Sequence, residues 1–128
     1  MSRTIGSPVQ RIMYHYTDKE GYNAIRAGVE WRFRIGRPPK LDPEHPPAAY
    51  FTTLGPCESN LERLRIPAEK RQYVFTFADS GDLIPLRGGK GRYILFSTAD
   101  YVVARDRQLP LFSGLSDEVE SRQREARP

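Results

Sequence analysis

Alternation is the strongest pattern along this chain. From Gln72 to Ala78, Tyr73, Phe75 and Phe77 alternate with Val74, Thr76 and Ala78, and a period of two predicts a strand. Val29 to Ile35 repeats the pattern more weakly. Val29, Trp31, Phe33 and Ile35 fall on one side, and Glu30, Arg32 and Arg34 on the other. Shorter apolar runs predict strands over Val9 to Tyr16, Ala48 to Thr53, Leu83 to Leu86 and Arg92 to Ser97. Tyr101 to Ala104 is expected to be the last strand.

Helical signals are fewer. Asp18 to Ala27 reads as an amphipathic helix with Tyr22 and Ile25 inward. Thr17 stands as its N-cap with Glu20 three residues on, a capping-box spacing, and Gly28 as the residue that stops it. Glu58 to Ile66 reads as a short helix bounded by Pro67, with a further turn at Ala68 to Lys70. Gly36 to Pro47 is rich in proline and polar residues and reads as a long loop over one face. Asp79 to Asp82 is a turn, and Arg87-Gly88-Gly89-Lys90-Gly91 a flexible loop. A strand, a helix and then several strands with few helices between them predict an α+β domain with a mostly antiparallel sheet. The expected divisions are a leader at 1–8, a domain at 9–110 and a charged tail or helix at 111–128 that carries little core.

Composition narrows the picture. The 128 residues suit one domain, and at 38% hydrophobic the core is modest. No apolar stretch is long enough to span a bilayer, so no membrane partner is expected. Cys57 is the single cysteine, which excludes an internal disulfide and a cysteine-based zinc site. A net charge of +4 is mild, not the concentrated basic face of a dedicated nucleic-acid binder. Basic residues gather at Arg32, Arg34, Arg37 and Lys40, and again at Arg87, Lys90 and Arg92. A phosphate-bearing ligand is one use for such clusters, and a basic RNA- or DNA-processing domain is a rival reading of the same surplus.

Candidate chemistry comes last. His15 and His45 have no partner at metal-ligand spacing. The Arg87 to Gly91 loop lacks the order of a phosphate loop. Cys57 follows Pro56 near a helix start, where a thiolate is favoured, but nothing else points to it. A nucleotide crevice between His15 and Tyr50 is the sharpest candidate. Each lies on a short strand next to hydroxyl residues, in His15-Tyr16-Thr17 and Tyr50-Phe51-Thr52. If the strands are neighbours, an imidazole that bonds a ribose hydroxyl and an aromatic face that stacks on a heterocycle line one groove.

The series Tyr14-His15-Tyr16-Thr17-Asp18, then Gly21-Tyr22, Ile25 and Gly28, followed by Ala49-Tyr50-Phe51-Thr52-Thr53, resembles the ADP-ribosyltransferase superfamily. The match is nearest to the toxin-type transferases named for a His-Tyr-Asp signature. The resemblance implies the split, mostly antiparallel sheet of that family and NAD as co-substrate. It implies that His15 binds the adenosine-side ribose, that the Tyr16 backbone holds the nicotinamide carboxamide and that Thr17 supports the strand end. Tyr50 then stacks on nicotinamide, with Thr52 beside it in the cofactor-binding set. Where polymerase-like members carry a catalytic Glu, Arg92 stands here. Asp100 takes the third catalytic place, with Asp82 and Asp79 in reserve. The implied function is a toxin or effector catalytic domain, cytoplasmic or delivered into a target cell within a longer secreted toxin. It transfers ADP-ribose to an acceptor the residues do not name, or to water as an NAD glycohydrolase, and an immunity protein is among the partners implied. A binding module of the same fold, holding NAD or ADP-ribose without turnover, is the alternative.

Overall fold

A computed structural model describes residues 11–36, 47–58, 66–85 and 94–126. The Met1 to Pro8 leader, His45 with residues 37–46 of the proline-rich loop, residues 59–65 of the Glu58 to Ile66 helix, and the Arg87 to Gly91 loop with Arg92 lie outside the described residues. The chain runs β1 (Ile12–Thr17), α1 (Lys19–Ile25), β2 (Trp31–Phe33), β3 (Ala49–Thr52), β4 (Tyr73–Ala78), β5 (Ile84–Pro85), β6 (Ile94–Ser97), β7 (Tyr101–Val103), β8 (Gly114–Leu115) and α2 (Ser116–Ala126). Strands β5-β6-β3-β1-β4-β8 form one sheet, and β2 pairs with β7 in a second. Every pairing between these strands is antiparallel. The architecture is α+β with a mostly antiparallel sheet, as the strand-rich pattern predicts.

β1 lies inside the large sheet, with β3 on one side and β4 on the other. The pleat sends Met13, His15 and Thr17 to one face and Ile12, Tyr14 and Tyr16 to the other. On the first face Met13 joins Phe51, Phe75 and Phe77, and the small sheet covers them with Trp31, Phe33, Tyr101 and Val103. Phe33 meets Phe51 and Phe75 edge-on, with ring centroids 5.1 and 5.5 Å apart, the geometry aromatic quadrupoles favour. On the second face Tyr16, Val74 and Val119 form a smaller cluster. With both faces covered, β4 is buried from Val74 through Phe77. Thr76 is tolerated there because its hydroxyl donates to the Phe112 carbonyl and its N–H donates to Ser113 Oγ.

Three expectations are corrected. Asp18, not Thr17, caps α1: its Oδ1 accepts from the Gly21 N–H at 2.9 Å and its Oδ2 holds Lys70 at 2.6 Å. Thr17 is the last residue of β1, and its hydroxyl lies where a Cβ on Gly21 would be. The strand expected over Val29 to Ile35 contracts to Trp31–Phe33, the only stretch that meets β7. Val29 is 67% exposed and Ile35 40%.

The third correction concerns the C-terminal stretch. Tyr101–Val103 is not the last strand, because β8 pairs with the start of β4. α2 then packs on the sheet. Val119 is fully buried, and Gln123 donates to the Tyr14 hydroxyl at 3.0 Å. Glu118–Arg122 and Glu120–Arg124 pair on its exposed side. One valine in a charged helix leaves almost no periodic signal, so the sequence predicts little core there.

Gly55 sets how closely that helix's anchor approaches. A Cβ there would lie 2.8 Å from Tyr14 Cζ and 2.9 Å from its hydroxyl. Gly55→Ala is expected to displace Tyr14 and lower stability by about 1–3 kcal/mol, read as a drop in denaturation midpoint; Tyr14→Ala in the same background should absorb most of the added methyl's effect.

Candidate functional site

The alternation of peptide groups along β1 decides what its end presents. Thr76 turns its N–H to Ser113 and its C=O to the Leu109 N–H, both away from β1. At the other end of the pair, Asp79 N–H donates to the Arg11 carbonyl. Odd residues of β1 therefore bond to β4, and Tyr14, the register partner of Thr76, turns to β3. β1 and β4 are in register over all six residues of β1. β1 and β3 are in register at Tyr14↔Thr52. Two residues further, Tyr16 also turns its peptide groups toward β3, and there a side chain bridges the strands. His15 Nδ1 lies 2.9 Å from the Tyr50 carbonyl oxygen.

That contact defines the imidazole. A carbonyl only accepts, so Nδ1 carries the proton and, in the neutral ring, Nε2 is the acceptor. The ring lies 4.9 Å from Phe33 and 5.6 Å from Phe51. Burial among these rings lowers the His15 pKa, and the bond to Tyr50 opposes the shift only in part.

The expected two-ring crevice is corrected. Tyr14 and Thr52 are paired, so Tyr50, two residues from Thr52, shares the face of Tyr14 and Tyr16. Its ring lies 6.0 Å from that of its β6 partner Phe96. The rings of His15 and Tyr50 are on opposite faces of the sheet. What joins them is the Tyr50 carbonyl. Tyr16 is buried, and its hydroxyl donates to the Leu54 carbonyl at 2.8 Å; burial and then the neighbouring Tyr14 push its pKa up. Thr52 is buried too, its hydroxyl accepting from the Leu54 N–H at the strand end, so it lines no open surface.

The three candidate carboxylates are each engaged elsewhere. Asp100 accepts from the Ile35 N–H at 3.0 Å and lies 3.7 Å from Arg32, tying the end of β2 to the start of β7. Asp79 accepts from Arg11 and from the Gly81 N–H. Asp82 accepts from Tyr101 at 2.7 Å and Ser80 at 2.8 Å. Burial raises its pKa, but those two bonds, its own backbone N–H and the Arg107 charge together hold the carboxyl below its usual range. Cys57 donates to the Glu120 carbonyl. Among the described residues no three His, Cys, Asp or Glu side chains gather to hold a metal ion, and no helix is long and apolar enough to cross a membrane.

The sequence reading missed a cleft of about 360 Å³ between α1, β2 and the 105–113 segment. Tyr22, Arg26, Trp31, Phe75 and Arg105 are among its walls, and His15, Tyr50 and Asp100 are not. No single motif marks it, because its residues come from three separated stretches, 22–31, Phe75 and 105–113.

A half-buried imidazole whose pKa is lowered makes a signed prediction. The folded pKa of His15 lies below its usual 6.5, so the unfolded chain binds the proton first. Stability from this group is present above pH 6.5 and is lost as pH falls through that value. Denaturation midpoints measured from pH 7.5 to 5 should fall for the wild type more steeply than for His15→Gln; equal slopes would assign the effect to other groups. Comparison with family models, curated proteins and solved structures finds no match for this chain.

Proposed function

We propose that this chain is an ADP-ribosyltransferase-type domain that takes NAD at the open end of the β1–β3 pair, cleaves the nicotinamide–ribose bond and passes ADP-ribose to an acceptor or to water. The observation that carries the reading is the bond between the His15 imidazole and the Tyr50 carbonyl, beside the Tyr14↔Thr52 pair of β1 and β3. It brings together the two motifs that carry the sequence resemblance. The Tyr16 peptide turned toward β3 is the group that would hold a carboxamide, since an amide offers one donor and one acceptor to a strand edge. With Nδ1 committed, His15 Nε2 is left to accept from a ribose hydroxyl. In this reading Tyr50 contributes through its carbonyl, and the ring does not share His15's face. The split into a six-stranded and a two-stranded sheet fits the same family.

Bond cleavage of this kind develops positive charge on the ribose, which a nearby carboxylate stabilises. Asp100 remains the proposed acid, and to serve it must leave Ile35 and Arg32 when NAD binds. Its present engagement, and that of Asp79 and Asp82, favours a second reading in which the domain holds NAD or ADP-ribose without turnover.

The two readings separate by experiment. Incubation with NAD should release nicotinamide, followed chromatographically. His15→Ala should reduce release about 100-fold or more, the range for removing one positioned polar group. Tyr50→Ala keeps the carbonyl and should cost less, and Asp100→Asn should abolish turnover while calorimetry still detects NAD. Binding without release in the wild type selects the second reading; neither binding nor release removes both.

A further inference from the structure

The cleft beside α1 has the composition of a docking site. Its floor is the buried Trp31 and Phe75 with half-buried Tyr22. Arg26 lies over the Tyr22 ring, 4.5 Å from its centroid, and Arg105, from a different part of the chain, also lines the cleft. Among the described residues neither arginine pairs with a carboxylate. Arg26 also donates to Asn23 Oδ1 at 3.4 Å. Glu30 and Asp106 neighbour the cleft in sequence without lining it. Exposed apolar surface continues beyond the walls. Val29 lines the cleft, Leu111 follows the lining Pro110 in the chain, and they are 67% and 66% exposed.

We infer that this cleft receives an acidic segment of a partner protein, one that seats a large apolar side chain on Trp31 and Phe75 and places carboxylates against Arg26 and Arg105. Charge complementarity selects the sign: two arginines from different elements line one cleft with three aromatic residues, in a chain of net charge +4. The apolar surface running past the cleft toward Val29 and Leu111 selects a peptide over a small anion, which would leave those side chains in water. The inference stands apart from the NAD reading, because His15 and Tyr50 do not line the cleft.

Trp31 is the only tryptophan in the chain and lines the cleft, so its emission reports occupancy there. The probe is a synthetic peptide with a Leu-Phe pair between runs of glutamate. Its binding is followed by Trp31 fluorescence and by anisotropy of a label on the peptide. Binding should shift Trp31 emission and weaken about tenfold in the Arg26→Gln, Arg105→Gln double variant, the scale of two partly exposed charge pairs. Val29→Ser should weaken it as well, with thermal denaturation confirming that each variant is folded. Four results would overturn the inference: no binding, an unchanged Trp31 signal, equal binding of a peptide with serines in place of Leu-Phe, or equal binding by the double variant. Displacement of the peptide by a short RNA or by NAD, with the same Trp31 shift, would reassign the cleft to a nucleotide ligand.

Discussion

A single strand is shared between two neighbours, and the sharing is unequal. β1 is paired with β4 along its whole length but in register with β3 at one position. Because peptide groups alternate in direction, whatever β3 does not take up is left to other partners at the Tyr16 end. The imidazole of His15 meets one of these needs, the Tyr50 carbonyl. That bond needs a ring near the strand, and the ring needs the cover of Phe33 from the second sheet. The aromatic core, the crossing of the two sheets and the tautomer of one histidine are thus parts of one arrangement.

The same pleat that makes this arrangement forbids another. Neighbouring residues on one strand point to opposite faces, so a histidine bonded to the main chain of Tyr50 need not see its ring. The two motifs meet through backbone, while their side chains serve different layers: one imidazole in the inter-sheet core, one phenol beside Phe96. A half-buried imidazole bonded this way helps to hold the strand pair it spans, the net worth of such a hydrogen bond being about 0.5–1.5 kcal/mol.

Much of the fold was legible from residues alone. A period-two run located β4, and shorter apolar runs located β1, β3, β5 and β6, because strands with a buried face write it directly into sequence. β2 was placed but overextended, since Val29 and Ile35 continue the alternation past the last partner on β7. α2 was legible as a charged segment but not as a structural layer, because its burial rests on Val119 and on Gln123 reaching Tyr14. For the site, the sequence marks His15 and Tyr50 and implies that their strands adjoin. It does not reveal which face each ring takes, since register depends on Tyr14 meeting Thr52 and not a residue one step away. Asp100 looks available in sequence, and only the fold brings the Ile35 N–H to it across 65 residues.

The covering of β1 has an order in time as well as in space. Its second face is closed by Val119 and Gln123, about a hundred residues downstream. As the chain emerges from a ribosome, β1 precedes α2 by that distance, so Tyr14 and Tyr16 lack the cover of Val119 and Gln123 until α2 appears. A strand with one greasy side waiting that long is the natural target of holdase chaperones, and it ties closure of this face to the synthesis of α2.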